Sequence, residues 1–122
     1  MTAHNAWTQG YDTTWTDTID GKEVTITFQD VNNFLNANKI TPVEISPKEL
    51  ENILIKTERD PKRIQSANLE YPVIVAKDNG RFVKVIDGQH RIMKALVNDI
   101  KTVKARILDL SKSPKHFKIM FS

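Results

Sequence analysis

Cysteine is absent from this chain of 122 residues. Its absence excludes disulfides, thiolate metal sites and cysteine nucleophiles, and it fits a reducing compartment. No apolar run approaches the roughly 20 residues that a membrane-spanning helix requires, and the polar start of the chain lacks a secretory signal pattern. We therefore expect a single cytoplasmic domain without a membrane partner.

Histidine is scarce as well, with three residues in the chain. His4, His90 and His116 do not show the spacing of zinc ligands. We therefore predict no metal site made by the protein alone.

Positive charge is unevenly distributed along the chain. Residues 1–55 hold three Lys or Arg and eight Asp or Glu, which gives −5, and residues 56–122 hold fifteen against seven, which gives +8. The sum is the net charge of +3. This asymmetry favours a polyanionic partner, such as a nucleotide or nucleic acid. A solvated surface with chance asymmetry is the alternative, and charge alone does not decide between them.

The first patterned segment predicts a β-hairpin followed by a short helix. Residues 14–19 and 22–28 are rich in β-formers and flank Asp20-Gly21, a dipeptide typical of two-residue hairpin turns. Asp30 is predicted to cap the helix. The apolar face of this helix consists of Val31, Phe34 and Leu35.

Two helix starts are indicated in the middle of the chain. Residues 42–45 read as a short strand, after which Ser46 is predicted to be the N-cap of a helix, with Glu49 completing a capping box. Asp60-Pro61 repeats the cap-then-proline pattern.

The C-terminal half predicts a sheet. Residues 72–76 are apolar on both faces, which indicates a central strand, and Asn79-Gly80 predicts a hairpin to residues 82–86. Residues 89–98 are predicted to form a helix and residues 103–108 a further strand. The apolar stripe predicted for this helix is Ile92, Met93, Leu96 and Val97. Together these elements predict an α+β fold: a small mixed sheet with packed helices and an N-terminal hairpin.

The segment Asp87-Gly88-Gln89-His90-Arg91 joins a predicted strand directly to a helix. The first amides of a helix lack internal partners and lie at the positive end of its dipole, which attracts anions. Gly88 allows a ligand to approach the backbone closely. His90, Arg91 and Lys94 lie off the predicted apolar stripe, so we expect them to form an exposed cationic ledge that suits phosphate.

A structural role is the alternative for the same residues. Asp87 would then cap the helix, and Arg91 would pair with Asp87 or Glu70. Glycine followed by arginine three residues later is a common combination, so the motif alone leaves both interpretations open.

The motif resembles that of the ParB/sulfiredoxin-like superfamily. In this chain it follows residues 71–75 and a predicted hairpin, and residues 59–64 resemble the Asp-Pro-x-Lys-Val segment of sulfiredoxins. The same five residues are similar to the motif of DGQHR-domain proteins linked to DNA modification. The resemblance runs from about residue 40 to residue 110. It divides the chain into an N-terminal extension, 1–39, a core, 40–110, and a basic tail, 111–122.

The resemblance implies a nucleotide whose phosphates lie over the strand–turn–helix. The implied nucleotide is ATP or CTP, with Mg²⁺ bridging the phosphates. The implied catalytic residues are Asp87, His90 and Arg91. The implied nucleotide-binding residues are Gly88, Gln89, His90, Arg91, Lys94, Arg59 and Lys62.

Two differences between this motif and those of known superfamily members narrow the range of expected functions. Gln89 stands where sulfiredoxins have their reactive cysteine, so reduction of sulfinic acids is excluded. Partition proteins have Glu-Arg-Arg where this chain has Gln89-His90-Arg91. The leading hypothesis is a nucleoside-triphosphate-binding domain that hydrolyses the nucleotide or transfers a phosphate. The alternatives are a DNA-binding or DNA-cleaving ParB-like protein of a phage or mobile element, and a degenerate member that acts as a protein-interaction module.

Overall fold

The computed structural model describes residues 13–55 and 59–122. This part of the chain contains six strands and four α-helices. The predicted α+β architecture is confirmed, including the N-terminal hairpin. In chain order the elements are β1 (Thr14–Ile19), β2 (Lys22–Thr27), α1 (Phe28–Ala37), β3 (Val43–Ile45), a 3-10 helix (Pro47–Ile53), α2 (Pro61–Ser66), β4 (Val73–Asp78), β5 (Arg81–Asp87), α3 (Gln89–Val97), β6 (Val103–Asp109), a 3-10 turn (Leu110–Lys112) and α4 (Lys115–Phe121).

Both predicted hairpin turns are confirmed. Asp20 and Gly21 have φ angles of 54° and 77°, and they join the antiparallel strands β1 and β2. Asn79 and Gly80 have φ angles of 51° and 79°, and they join β4 to β5. Asn, Asp and Gly adopt positive φ at low cost, so these two dipeptides determine the turns locally.

The main sheet has four strands in the order β3-β6-β4-β5. Its inner pair, β4 and β6, is parallel, whereas β3–β6 and β4–β5 are antiparallel. Strand β4 is therefore an inner strand, as its apolar sequence predicts. Its four residues from Val73 to Ala76 are all buried, because helices and the hairpin cover both faces of the sheet.

One hydrophobic cluster joins the first face of the sheet to both terminal segments. It contains Ile26 of β2, Leu35 of α1 and Phe121 of α4, together with Ile74 and Leu108 of the sheet. The apolar part of the C-terminal tail thus packs against the sheet. The other face is covered by α3 and the 3-10 helix, in a cluster of Leu50, Val73, Val75, Ile92 and Ala105.

Two predicted helix starts differ in detail. Thr27, not Asp30, is the N-cap of α1: its side chain accepts the Asp30 amide at 3.1 Å, and the Asp30 carboxylate accepts the Thr27 amide at 2.8 Å. This reciprocal pair is a capping box, in which the acidic residue belongs to the third helical position. Ser46 does cap the next helix, but it accepts the Lys48 amide, and the helix is of the 3-10 type. Asp60 caps α2 as predicted.

Candidate functional site

A tight junction between β5 and α3 forms the centre of the candidate site. Strand β5 ends at Asp87, Gly88 has a φ angle of +99°, and α3 begins at Gln89, so the predicted strand-to-helix junction is confirmed. A Cβ atom on Gly88 would lie 2.6 Å from Cγ1 of Val73 and 3.2 Å from Cζ of Arg91. Glycine is therefore required by both the backbone conformation and the packing against β4.

Arg91 is buried at this junction, with 3% of the residue exposed. Its guanidinium Nη2 pairs with Asp87 Oδ2 at 3.0 Å, and Nη1 donates to the backbone oxygens of Tyr71 at 3.2 Å and Pro72 at 2.6 Å. The expected place of Arg91 on an exposed ledge is therefore wrong, because carbonyl and carboxylate acceptors satisfy its charge in the interior. Of the two structural partners considered, Asp87 is the one observed.

The buried face of α3 is rotated relative to the predicted apolar stripe. Arg91, Ile92, Met93 and Ala95 are buried, whereas Val97, which the stripe includes, is 70% exposed. The amide of Arg91 also donates to the Gly88 oxygen at 3.0 Å, so at this position the expected solvent-facing amide is not present.

Gln89 links α3 to the end of the 3-10 helix. Its side-chain oxygen accepts the Ile55 amide at 2.7 Å, and its side-chain nitrogen donates to the Ile55 oxygen at 2.9 Å. This paired arrangement copies the hydrogen bonding of a neighbouring strand. Gln89 therefore fixes the position of Ile55 beside the junction.

Lys94 connects α3 to α2. Its Nζ donates to the backbone oxygens of Gln65 and Ala67, both at 2.8 Å. The last carbonyls of a helix lack internal partners, and a lysine placed there satisfies them. The expected place of Lys94 on an exposed cationic ledge is therefore wrong.

We expect Lys94→Met to lower the free energy of unfolding. Methionine keeps most of the side-chain volume but removes a charged donor, and hydrogen bonds to charged groups contribute about 1.5–3 kcal/mol. Denaturant unfolding of the variant measures this loss. Lys101→Met is the control, because Lys101 is exposed. Equal stability of the two variants would contradict the role of Lys94 in holding α2.

A cleft of about 300 Å³ opens at the junction. Side chains and backbone from α2, α3, β1 and β5 converge on it. We call it the junction cleft, and the lining residues that matter below are Trp15, Arg63, Lys84, Asp87, Gly88 and His90. Gln89 and Ile55 also line it, so the hydrogen-bonded pair described above forms part of its wall.

Among its described lining residues, the junction cleft has more positive than negative charge. Within residues 13–55 and 59–122, neither Arg63 nor Lys84 forms an ion pair with a carboxylate. The carboxylate of Asp87 is neutralised by Arg91 at 3.0 Å. The Nε2 atom of His90 is shielded from solvent, so this nitrogen is not presented to the cleft opening. The charges of the described lining residues therefore favour an anion.

The structure separates the other predicted cations from this cleft. Arg59 lines a different cleft, of about 400 Å³, together with Glu51, Leu54 and Val97. Lys62 is exposed, and its amide donates to the cap residue Asp60. Arg63 and Lys84 line the junction cleft instead, and neither was predicted from the sequence. The available signal for Lys84 was a lysine within an otherwise apolar strand.

Further features bear on cofactors and on membranes. Among the described residues, no three His, Asp or Glu side chains are grouped so that they could hold a metal ion. In the same part of the chain, no helix combines the length and the apolar character needed to cross a bilayer.

Comparisons with protein-family models, with curated proteins and with solved structures find no match for this chain.

Proposed function

We propose that the junction cleft binds the phosphates of a nucleoside triphosphate, ATP or CTP, and that the chain is a ParB/sulfiredoxin-like domain that hydrolyses the nucleotide or transfers a phosphate. The observation that carries the proposal is the convergence of Arg63 and Lys84, both without a carboxylate partner in the described residues, on a cleft beside Gly88. Unpaired cations that converge on a concave site favour a charged ligand.

The two cations suit different parts of a polyphosphate. A guanidinium such as that of Arg63 forms two parallel hydrogen bonds to one phosphate, whereas the ammonium of Lys84 acts as a point charge. Gly88 lets the chain turn directly from β5 into α3, so that a ligand in the cleft would lie beside the start of this helix. Magnesium that accompanies the nucleotide would neutralise part of the phosphate charge, and it would need few protein ligands because this ion usually keeps several waters.

Arg91 has an indirect role in this proposal. Its guanidinium holds the Asp87 carboxylate at 3.0 Å and is itself buried. We therefore treat Arg91 as a positioning residue for Asp87, and we assign phosphate binding to Arg63, Lys84 and the backbone of Gly88 and His90. Asp87 remains the carboxylate in the cleft that would accept a proton from an attacking hydroxyl or water.

We expect Arg63→Ala and Lys84→Ala each to weaken ATP or CTP binding by about ten- to a hundredfold, because charged hydrogen bonds contribute about 1.5–3 kcal/mol and 1.4 kcal/mol is a tenfold change. Calorimetric titration with Mg²⁺ present measures the affinities. Lys62→Ala is the matched control: it removes one positive charge from the same helix as Arg63, but Lys62 does not line the cleft. Its affinity should stay close to that of the unmodified protein.

Two outcomes contradict the proposal. The first is that the unmodified protein binds neither nucleotide. The second is an equal loss in all three variants, which would indicate a diffuse charge effect and not a site. If duplex DNA binds instead, with a log–log salt slope that steepens by about 0.9 for each phosphate neutralised, the DNA-acting alternative replaces the nucleotide.

A further inference from the structure

Trp15 is an aromatic side chain of the junction cleft that phosphate binding does not use. It lies on β1 of the N-terminal hairpin and is half-buried. The edge-to-face contact of its ring with Phe121 of α4 has a centroid distance of 5.1 Å and an interplanar angle of 84°. Trp15 also lines the cleft, and its side chain is only partly buried.

The hairpin that carries Trp15 is anchored to the rest of the molecule. The Phe28 amide donates to the Thr13 oxygen at 3.0 Å, beside the start of β1. At the other end, Asp20 in the turn pairs with Lys115 of α4 at 2.8 Å. Ile26 of the same hairpin belongs to the buried core cluster against which Trp15 packs, so the hairpin holds the Trp15 position beside the cleft that Arg63 and Lys84 also line.

We propose that Trp15 stacks on the nucleobase of the ligand, so that the cleft selects nucleoside phosphates over phosphates that lack an aromatic ring. This inference rests on the proposed function, because it assigns the second half of the same ligand. A cleft of about 300 Å³ is at the small end of ligand sites, so it has room for one small ligand. Stacking tolerates any base, so we expect a strong requirement for a base and weak discrimination between ATP and CTP.

The experiment compares ATP with inorganic tripolyphosphate, which carries the phosphates alone. Stacking on an aromatic side chain is worth enough to change affinity by about five- to a hundredfold. We therefore expect Trp15→Leu to weaken ATP binding by that factor and to leave tripolyphosphate binding unchanged. Trp15→Phe keeps an aromatic face and should retain most of the ATP affinity.

Phe34→Leu is the control for stability, because it removes an aromatic ring from the same hydrophobic cluster at a position outside the cleft. Its ATP affinity should be unchanged. If Trp15→Leu does not fold, fluorescence replaces it: in a Trp7→Phe background Trp15 is the remaining indole of the two in the chain, and ATP but not tripolyphosphate should quench it.

The two proposals fail in different ways. If both ligands bind and Trp15→Leu weakens them equally, or weakens neither, the stacking role is overturned and the phosphate site stands. Absence of quenching by saturating ATP has the same meaning. If the unmodified protein binds neither ATP nor tripolyphosphate, the proposed function falls and the stacking role falls with it.

Discussion

Replacing Arg91 with alanine is expected to lower the free energy of unfolding by about 3–5 kcal/mol, the usual cost of breaking a buried ion pair by removing one partner. The substitution leaves the Asp87 carboxylate, 8% exposed, without its cation. It also removes the donor that serves the backbone oxygens of Tyr71 and Pro72. Denaturant-induced unfolding followed by circular dichroism measures the loss.

Arg63→Ala is the control for Arg91→Ala, because Arg63 is an exposed arginine; its stability change should stay within about 0.5 kcal/mol. The double replacement Asp87→Leu with Arg91→Met removes both charges, so it should be more stable than Arg91→Ala alone. Unchanged stability of Arg91→Ala together with lost nucleotide binding would contradict the structural role of Arg91. It would indicate instead that Arg91 contacts the phosphates directly.

The fold was predictable wherever local chemistry determines it. Asp20-Gly21 and Asn79-Gly80 adopt positive φ at low cost, and the apolar sequence of β4 favours burial on both faces. The orientation of α3 was not predictable in this way. The periodicity of apolar residues predicts that an arginine in this helix lies outside the core. Arg91 is buried instead because it donates to backbone oxygens some 20 residues earlier in the chain, and the periodicity does not reveal these acceptors.

The candidate site was predictable only at its centre. Asp87, Gly88 and His90 are consecutive or nearly so, and the motif that contains them does lie at the cleft. Trp15 and Arg63 come from two other elements, and only the packing of the hairpin and α2 against the junction brings them there. Lys84 lies on β5, the strand that ends at Asp87. A local motif contains no information about such long-range contacts. The exposed or buried state of its own charges is equally a tertiary property.

Replacing Gly88 with alanine is expected to lower the free energy of unfolding by about 2–5 kcal/mol. A left-handed backbone conformation costs a residue with a Cβ about 1–2 kcal/mol, and overpacking a core costs about 1–3 kcal/mol. Both apply here, because φ is +99° and the new Cβ would meet Cγ1 of Val73 at 2.6 Å and Cβ of Val73 at 2.9 Å. Thermal and denaturant unfolding of the variant measure the total.

Gly80→Ala separates the two contributions to the Gly88→Ala loss. Gly80 has a φ angle of +79°, and nothing lies within 4 Å of a Cβ placed there, so its variant should show the backbone cost alone, about 1–2 kcal/mol. Val73→Ala removes the 2.6 Å contact but not the 2.9 Å one, so the double variant Gly88→Ala with Val73→Ala should lose less than the sum of the single losses. Equal losses for Gly88→Ala and Gly80→Ala, with additive behaviour in the double variant, would show that β4 does not pack against the junction as described. The start of α3 would then be open to a ligand from the β4 side, and the position of the cleft would have to be revised.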